Sequence, residues 1–83
     1  MANGLLDEVR EALTLPAPDV ARGIREAAGV SQVRLATELG VHPLTVARWE
    51  SGTYTPRGDL RRAYARLLHD LDEATCEARG GTG

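Results

Sequence analysis

The sequence has 83 residues, close to the lower limit at which one apolar core holds a chain folded without disulfides or metals, so it accommodates one small domain. Its apolar share of 42% contains no Phe, one Trp and two Tyr, a composition that suits closely packed short helices. Its one cysteine, Cys76, excludes an internal disulfide and a multi-cysteine zinc site, and the net charge of −2 gives no overall basic footprint.

Taken in chain order, "LLDEVREAL" (residues 5–13) repeats Leu5, Val9 and Leu13 at helical spacing, with Asn3 as N-cap and acids in the first turn. The prolines of "TLPAP" (14–18) break this helix, because each removes a donor and restricts its predecessor. A second helix is predicted from Pro18 or Asp19 to Ala28, burying Val20, Ile24 and Ala27 or Ala28, with Gly29 as its left-handed stop. Ser31 caps a third, "QVRLATEL", whose inner face is Leu35, Ala36 and Leu39, and Gly40 ends it.

The next helix opens at Pro43, a first helical position where a missing N–H costs nothing. Val46 and Trp49 lie three apart on its inward face, and Gly52 closes it. After the loop "TYTPRG" (53–58) comes the longest helix, "DLRRAYARLLHDLDEATCEA". It carries a seam of Leu60, Tyr64, Leu67, Leu71, Ala74 and Ala78, widened by Leu68. The final "RGGTG" reads as disordered. Nothing alternates with period two, so the expected fold class is all-α, a compact bundle of about five helices.

The charge is unevenly spread. From His42 to Arg66, five arginines (Arg48, Arg57, Arg61, Arg62 and Arg66) face only Glu50 and Asp59, a local charge of +3. Residues 67–83 sum to −3. All ten basic residues are Arg, which suits bidentate contacts and equally reflects a G+C-rich coding sequence.

Two short helices joined by a tight glycine turn are the signature of a helix-turn-helix. In "SQVRLATELGVHPLTVARWESGTYTP", Leu35, Ala36, Leu39, Gly40, Val46, Trp49 and the "WESG…P" exit resemble the lambda-repressor-like Cro/repressor (XRE) family over roughly residues 18–70. The physics of the spacing is plain: a small Ala36 lets the helices cross closely, Gly40 supplies positive φ, and Val46 and Trp49 peg the second helix onto the first. The implied organisation is an N-terminal helix and proline-containing linker (1–17), a helix-turn-helix DNA-binding domain with a long C-terminal helix (18–79) and a tail (80–83).

The resemblance implies a structural bridge between Arg25 and Glu50, since an unpaired carboxylate beside Trp49 would be costly. It implies that Gly40 to Gly52 is the recognition helix and that its amino-terminal turn enters the major groove of DNA, with Pro43, Leu44, Thr45, Ala47 and Arg48 as base-contacting candidates. There Leu44 meets a thymine methyl or, alternatively, a protein partner, and Arg48 reaches guanine O6 and N7 or else pairs with Glu38 or a phosphate. Gln32, His42, Tyr54, Arg57 and Arg61 are the backbone-contacting candidates, with His42 also a helix cap. One of the pairs Arg57/Arg61 and Arg62/Arg66 is expected to be solvated.

No catalytic set, metal site or cofactor is expected: His42 has no second ligand at helical spacing, and Cys76 no partner for nucleophilic work. No apolar run reaches membrane-span length, and Asp7, Glu8 and Glu11 are unlike a signal peptide, so a cytoplasmic chain is expected. The leading reading is a repressor binding an inverted-repeat operator in double-stranded DNA as a homodimer. Its dimer surface is the C-terminal seam or the N-terminal helix. Arg, Ala and Gly in place of Lys resemble regulators of high-G+C bacteria and their phages. The alternatives are an antitoxin whose extra helices grip a toxin, and a protein-interaction module that has lost DNA binding.

Overall fold

Four helices fill the described part of the chain, Leu5 and residues 14–80, in a computed structural model. They are α1 (Pro18–Ala27), α2 (Gln32–Leu39), α3 (Pro43–Glu50) and α4 (Gly58–Gly80), with no strand among the described residues. The expected amino-terminal helix lies outside the described residues except for Leu5, which is helical and exposed. Residues 81–83 of the expected tail also lie outside them, and α4 continues through Gly80.

Local chemistry sets the boundaries. Proline occupies the start of α1 and of α3, where the helix has no use for its N–H. At the start of α2, the Ser31 hydroxyl accepts from the Arg34 N–H at 3.0 Å. Each of the first three helices ends on a glycine whose N–H, with that of the next residue, returns to the last turn: Gly29 and Val30, Gly40 and Val41, Gly52 and Thr53. Gly40 matters most, because its φ of +70° turns the chain from α2 into α3, a conformation that costs an L-residue about 1–2 kcal/mol.

The core is one cluster of Ala21, Leu35, Ala36, Val46, Trp49, Tyr64 and Leu68. Ala36 and Val46 are completely covered where α2 meets α3, so any larger group at residue 36 would push the two helices apart. The Trp49 and Tyr64 rings lie with centroids 4.7 Å apart at a tilt of 38°, docking α3 onto α4. Leu15 packs against the cluster from before α1, and Pro56 is buried in the loop after α3.

Two expected faces need correction. In α1 the inward residues are Ala21 and Arg25, with Ile24 and Ala28 half-buried, while Val20 is 51% exposed and Ala27 is also exposed. Ile24 and Ala28 face inward as expected, but a pattern built from apolar residues alone put Val20 inside and left out Arg25, whose burial depends on its partner. In α4 the buried stripe is Tyr64, Ala65 and Leu68, with Leu60, Leu67 and Leu71 half-buried beside it. Ala74 and Ala78, expected in the seam, are exposed. The reason is length: α4 has 23 residues, about 35 Å at 1.5 Å per residue, and outruns the shorter helices it packs against.

Tyr64 is 2% exposed, and its hydroxyl has no hydrogen-bond partner among the described residues. Burial and the nearby Glu50 charge push its pKa up to about 12, so it stays neutral. Removing an unpaired buried hydroxyl while keeping the ring relieves a desolvation cost of about 1–3 kcal/mol. Tyr64→Phe is therefore expected to match or exceed the parent chain in urea denaturation, and Tyr64→Ala to lose about 3–5 kcal/mol. A Phe variant clearly less stable than the parent would show that the hydroxyl is satisfied.

Candidate nucleic-acid interface

The α2–turn–α3 unit is tied to α1 by a buried polar network. Glu50, the last residue of α3, receives Arg25 Nε at 2.6 Å and Arg25 Nη2 at 3.0 Å, one on each carboxylate oxygen. Arg25 Nη1 donates to the Val30 carbonyl at 2.8 Å, and Gln32 Nε2 donates to Glu50 Oε1 at 3.0 Å. The side chains of Arg25 and Glu50 are 10% and 3% exposed, so neither charge has water to fall back on. Burial alone would push the Glu50 carboxyl up, but the hydrogen bonds from Arg25 and Gln32 outweigh it and hold the pKa below its ordinary value. The hydrogen bond to Glu50 raises the Arg25 pKa against the opposing effect of burial.

That network fixes which side of α3 faces out. Val46, Trp49 and Glu50 are buried, whereas Leu44 is 50% exposed, Arg48 is exposed, and Pro43, Thr45 and Ala47 are half-buried. At the amino end of α3, His42 Nδ1 accepts from the Leu44 N–H at 3.0 Å. Accepting at Nδ1 requires that the neutral ring carry its proton on Nε2. At the other end, the Arg48 guanidinium carbon lies 5.3 Å from the centroid of the Tyr54 ring.

The remaining arginines separate. Arg57 is exposed and Arg61 half-buried, both next to the loop that follows α3. Arg62 Nη2 contacts Asp59 Oδ1 at 2.6 Å on an exposed turn, and Arg66 is exposed further along α4. Gln32 is half-buried, its amide already engaged by Glu50. Asp70, Asp72, Glu73 and Glu77 are exposed, as is Cys76. Among the described residues no group of three or more His, Cys, Asp or Glu is placed to hold a metal ion.

Sequence reasoning missed two partnerships. The Gln32 amide joins the Arg25–Glu50 pair, and the Tyr54 ring lies against Arg48. Neither follows from helical periodicity, since each crosses a turn; the glycine stops at Gly40 and Gly52, which reverse the chain, were the available signal.

The family model described as helix-turn-helix matches residues 22–73, more than half of the chain. The chain belongs to the XRE, lambda-repressor-like helix-turn-helix family. It is a DNA-binding transcription regulator of the XRE type, in a family of DNA-binding domains rather than enzymes. The matched part of this XRE domain begins inside α1 and ends inside α4, so it takes in Arg25, Gln32, all of α2 and α3, Tyr54, Arg57 and Arg61. No curated protein and no solved structure is a significant match to the chain. Among the described residues no helix is long and apolar enough to cross a membrane.

The buried pair of this XRE domain gives a pH dependence of definite sign. A carboxyl with a depressed folded-state pKa stabilises the fold fully above its unfolded value, and that stability is lost as pH falls through the folded value. Unfolding free energy should therefore drop on acidification below the ordinary carboxylate range. Glu50→Ala strands the Arg25 charge and should cost about 3–5 kcal/mol at neutral pH, with a shallower acid loss, in denaturant titrations at several pH values. An unchanged acid profile in the variant would remove Glu50 as the source.

Proposed function

We propose that this chain is a repressor that binds an inverted-repeat operator in double-stranded DNA as a homodimer, acting in the cytoplasm. The observation that carries the reading is the two-sidedness of α3: Val46, Trp49 and Glu50 are buried, while Leu44 and Arg48 stand in solvent on the other side. An exposed leucine beside an unburied arginine suits a surface that offers both thymine methyls and guanine acceptors. Pro43, Leu44, Thr45, Ala47 and Arg48 form the base-reading face, with Arg48 bidentate to guanine and Leu44 against a methyl.

Phosphate contacts come from its margins. Gln32, at the amino end of α2, keeps one amide hydrogen for a phosphate after serving Glu50, and the His42 Nε2–H is free of the capping bond. Arg57 and Arg61 flank the same loop and supply charge that neutralises phosphates. Tyr54 stands beside them. The acidic residues of α4 orient the domain by repelling the duplex from its far end.

Two copies would set their recognition helices about one helical turn apart, so half-sites should lie about 10 bp centre to centre. A shallow groove with an apolar floor of Val30, Leu35, Leu67 and Leu71, also lined by Arg34 and Glu38, supports the α4 side as the dimer surface. An antitoxin role would use the same surface for a toxin.

Two arginine variants test the placement, measured on a duplex selected from a random pool. Arg48→Ala should lower specific affinity by about 1–3 kcal/mol and relax preference at one base pair. Arg57→Ala should weaken every sequence about equally and reduce the salt slope by about 1. A selected motif unchanged by Arg48→Ala would contradict the groove assignment, and no binding to any duplex at low salt would contradict the function.

A further inference from the structure

Arg48 is the residue on which base reading chiefly rests, yet an exposed arginine has about 2 kcal/mol of rotamer freedom to lose before it can make a bidentate contact. Building on the α3 face as the DNA-reading surface, we propose that Tyr54 is a positioning residue for Arg48, holding its guanidinium in place before DNA arrives. Sequence alone put Tyr54 among the phosphate contacts. Its ring, rather than its hydroxyl, is the part that acts here.

Three observations carry this. The guanidinium carbon lies 5.3 Å from the ring centroid, within the range of a cation–π contact. Tyr54 is 56% exposed and Arg48 is also exposed, so core packing does not force them together. Their backbones are also locked to one another. The Arg48 carbonyl accepts from the Thr53 N–H at 3.0 Å, the Tyr54 N–H at 3.3 Å and the Ser51 hydroxyl at 3.1 Å.

The turn that makes this possible is Gly52, at φ +79°, which sends the chain back along the end of α3. Tyr54 then borders a cavity whose other walls include Trp49, Pro56 and Arg61. Among the described residues no carboxylate pairs with Arg48, which leaves the ring as its partner. An arginine already restricted by stacking gives up less entropy on binding, and its affinity for the correct base rises accordingly.

A double-variant cycle tests the proposal, by fluorescence anisotropy on a duplex selected from a random pool with the unaltered chain. Tyr54→Leu should weaken binding by about 2- to 5-fold, the value of an exposed cation–π contact, while Tyr54→Phe keeps the ring and stays close to the parent. In an Arg48→Ala background Tyr54→Leu should have no further effect. In the free protein, NMR should show ring-shifted Arg48 side-chain protons that move toward ordinary values in Tyr54→Leu.

Loss in Tyr54→Phe equal to that in Tyr54→Leu, or a Leu effect that persists undiminished without Arg48, would overturn the proposal in favour of a phosphate contact. DNA binding would remain established in that case. If the unaltered chain enriched no duplex, the DNA-reading surface itself would be overturned, and the role of Tyr54 with it.

Discussion

A carboxylate buried beside a tryptophan is tolerable only if it is fully paired, and the pairing of Glu50 organises this small domain. Arg25 meets both of its oxygens and also holds the Val30 carbonyl; Gln32 adds a third donor. Residues from α1, the α1–α2 turn, the start of α2 and the end of α3 thus meet in one hydrogen-bonded network. The pair adds little net stability over an apolar core of the same shape, but a misplaced helix would leave a bare charge inside the protein. Its effect is to select one arrangement.

From that arrangement the surface chemistry follows. With Glu50, Trp49 and Val46 turned inward, α3 has no choice but to turn Leu44 and Arg48 outward. The small side chain of Ala36 lets α2 come close behind, and the Trp49–Tyr64 stacking holds the unit on α4. The same segment that plugs the core therefore presents the surface assigned to DNA. A net-acidic chain becomes compatible with a nucleic-acid partner because acids near the α3 face are paired or distant: Glu50 is consumed by Arg25, Asp59 by Arg62, and Asp70, Asp72, Glu73 and Glu77 lie on outer α4.

Much of this was legible in the residues. Gly40 and Gly52 marked the helix ends because positive φ is cheap only for glycine, and Ser31 and Pro43 marked the starts by their capping chemistry. The inward side of α3 could be read because Val46 and Trp49 are large and apolar at helical spacing. In α1 the same method failed, since Arg25 is core by virtue of a partner 25 residues away and Val20 is exposed despite its chemistry. In α4 the seam could be extended too far because periodicity carries no information about where the neighbouring helices stop. The contact between Tyr54 and Arg48 was hidden for a related reason: it depends on the path of a loop, which no periodic pattern encodes.

The central claim is that the outward face of α3 is the DNA surface, and backbone amide NMR of the labelled chain during titration with a selected duplex tests it most directly. The account predicts that the largest shift changes fall on His42 to Arg48 and on Gln32, with the exposed acidic stretch of residues 70–77 unmoved. Shift changes confined to that stretch, with α3 silent at saturating duplex, would contradict it.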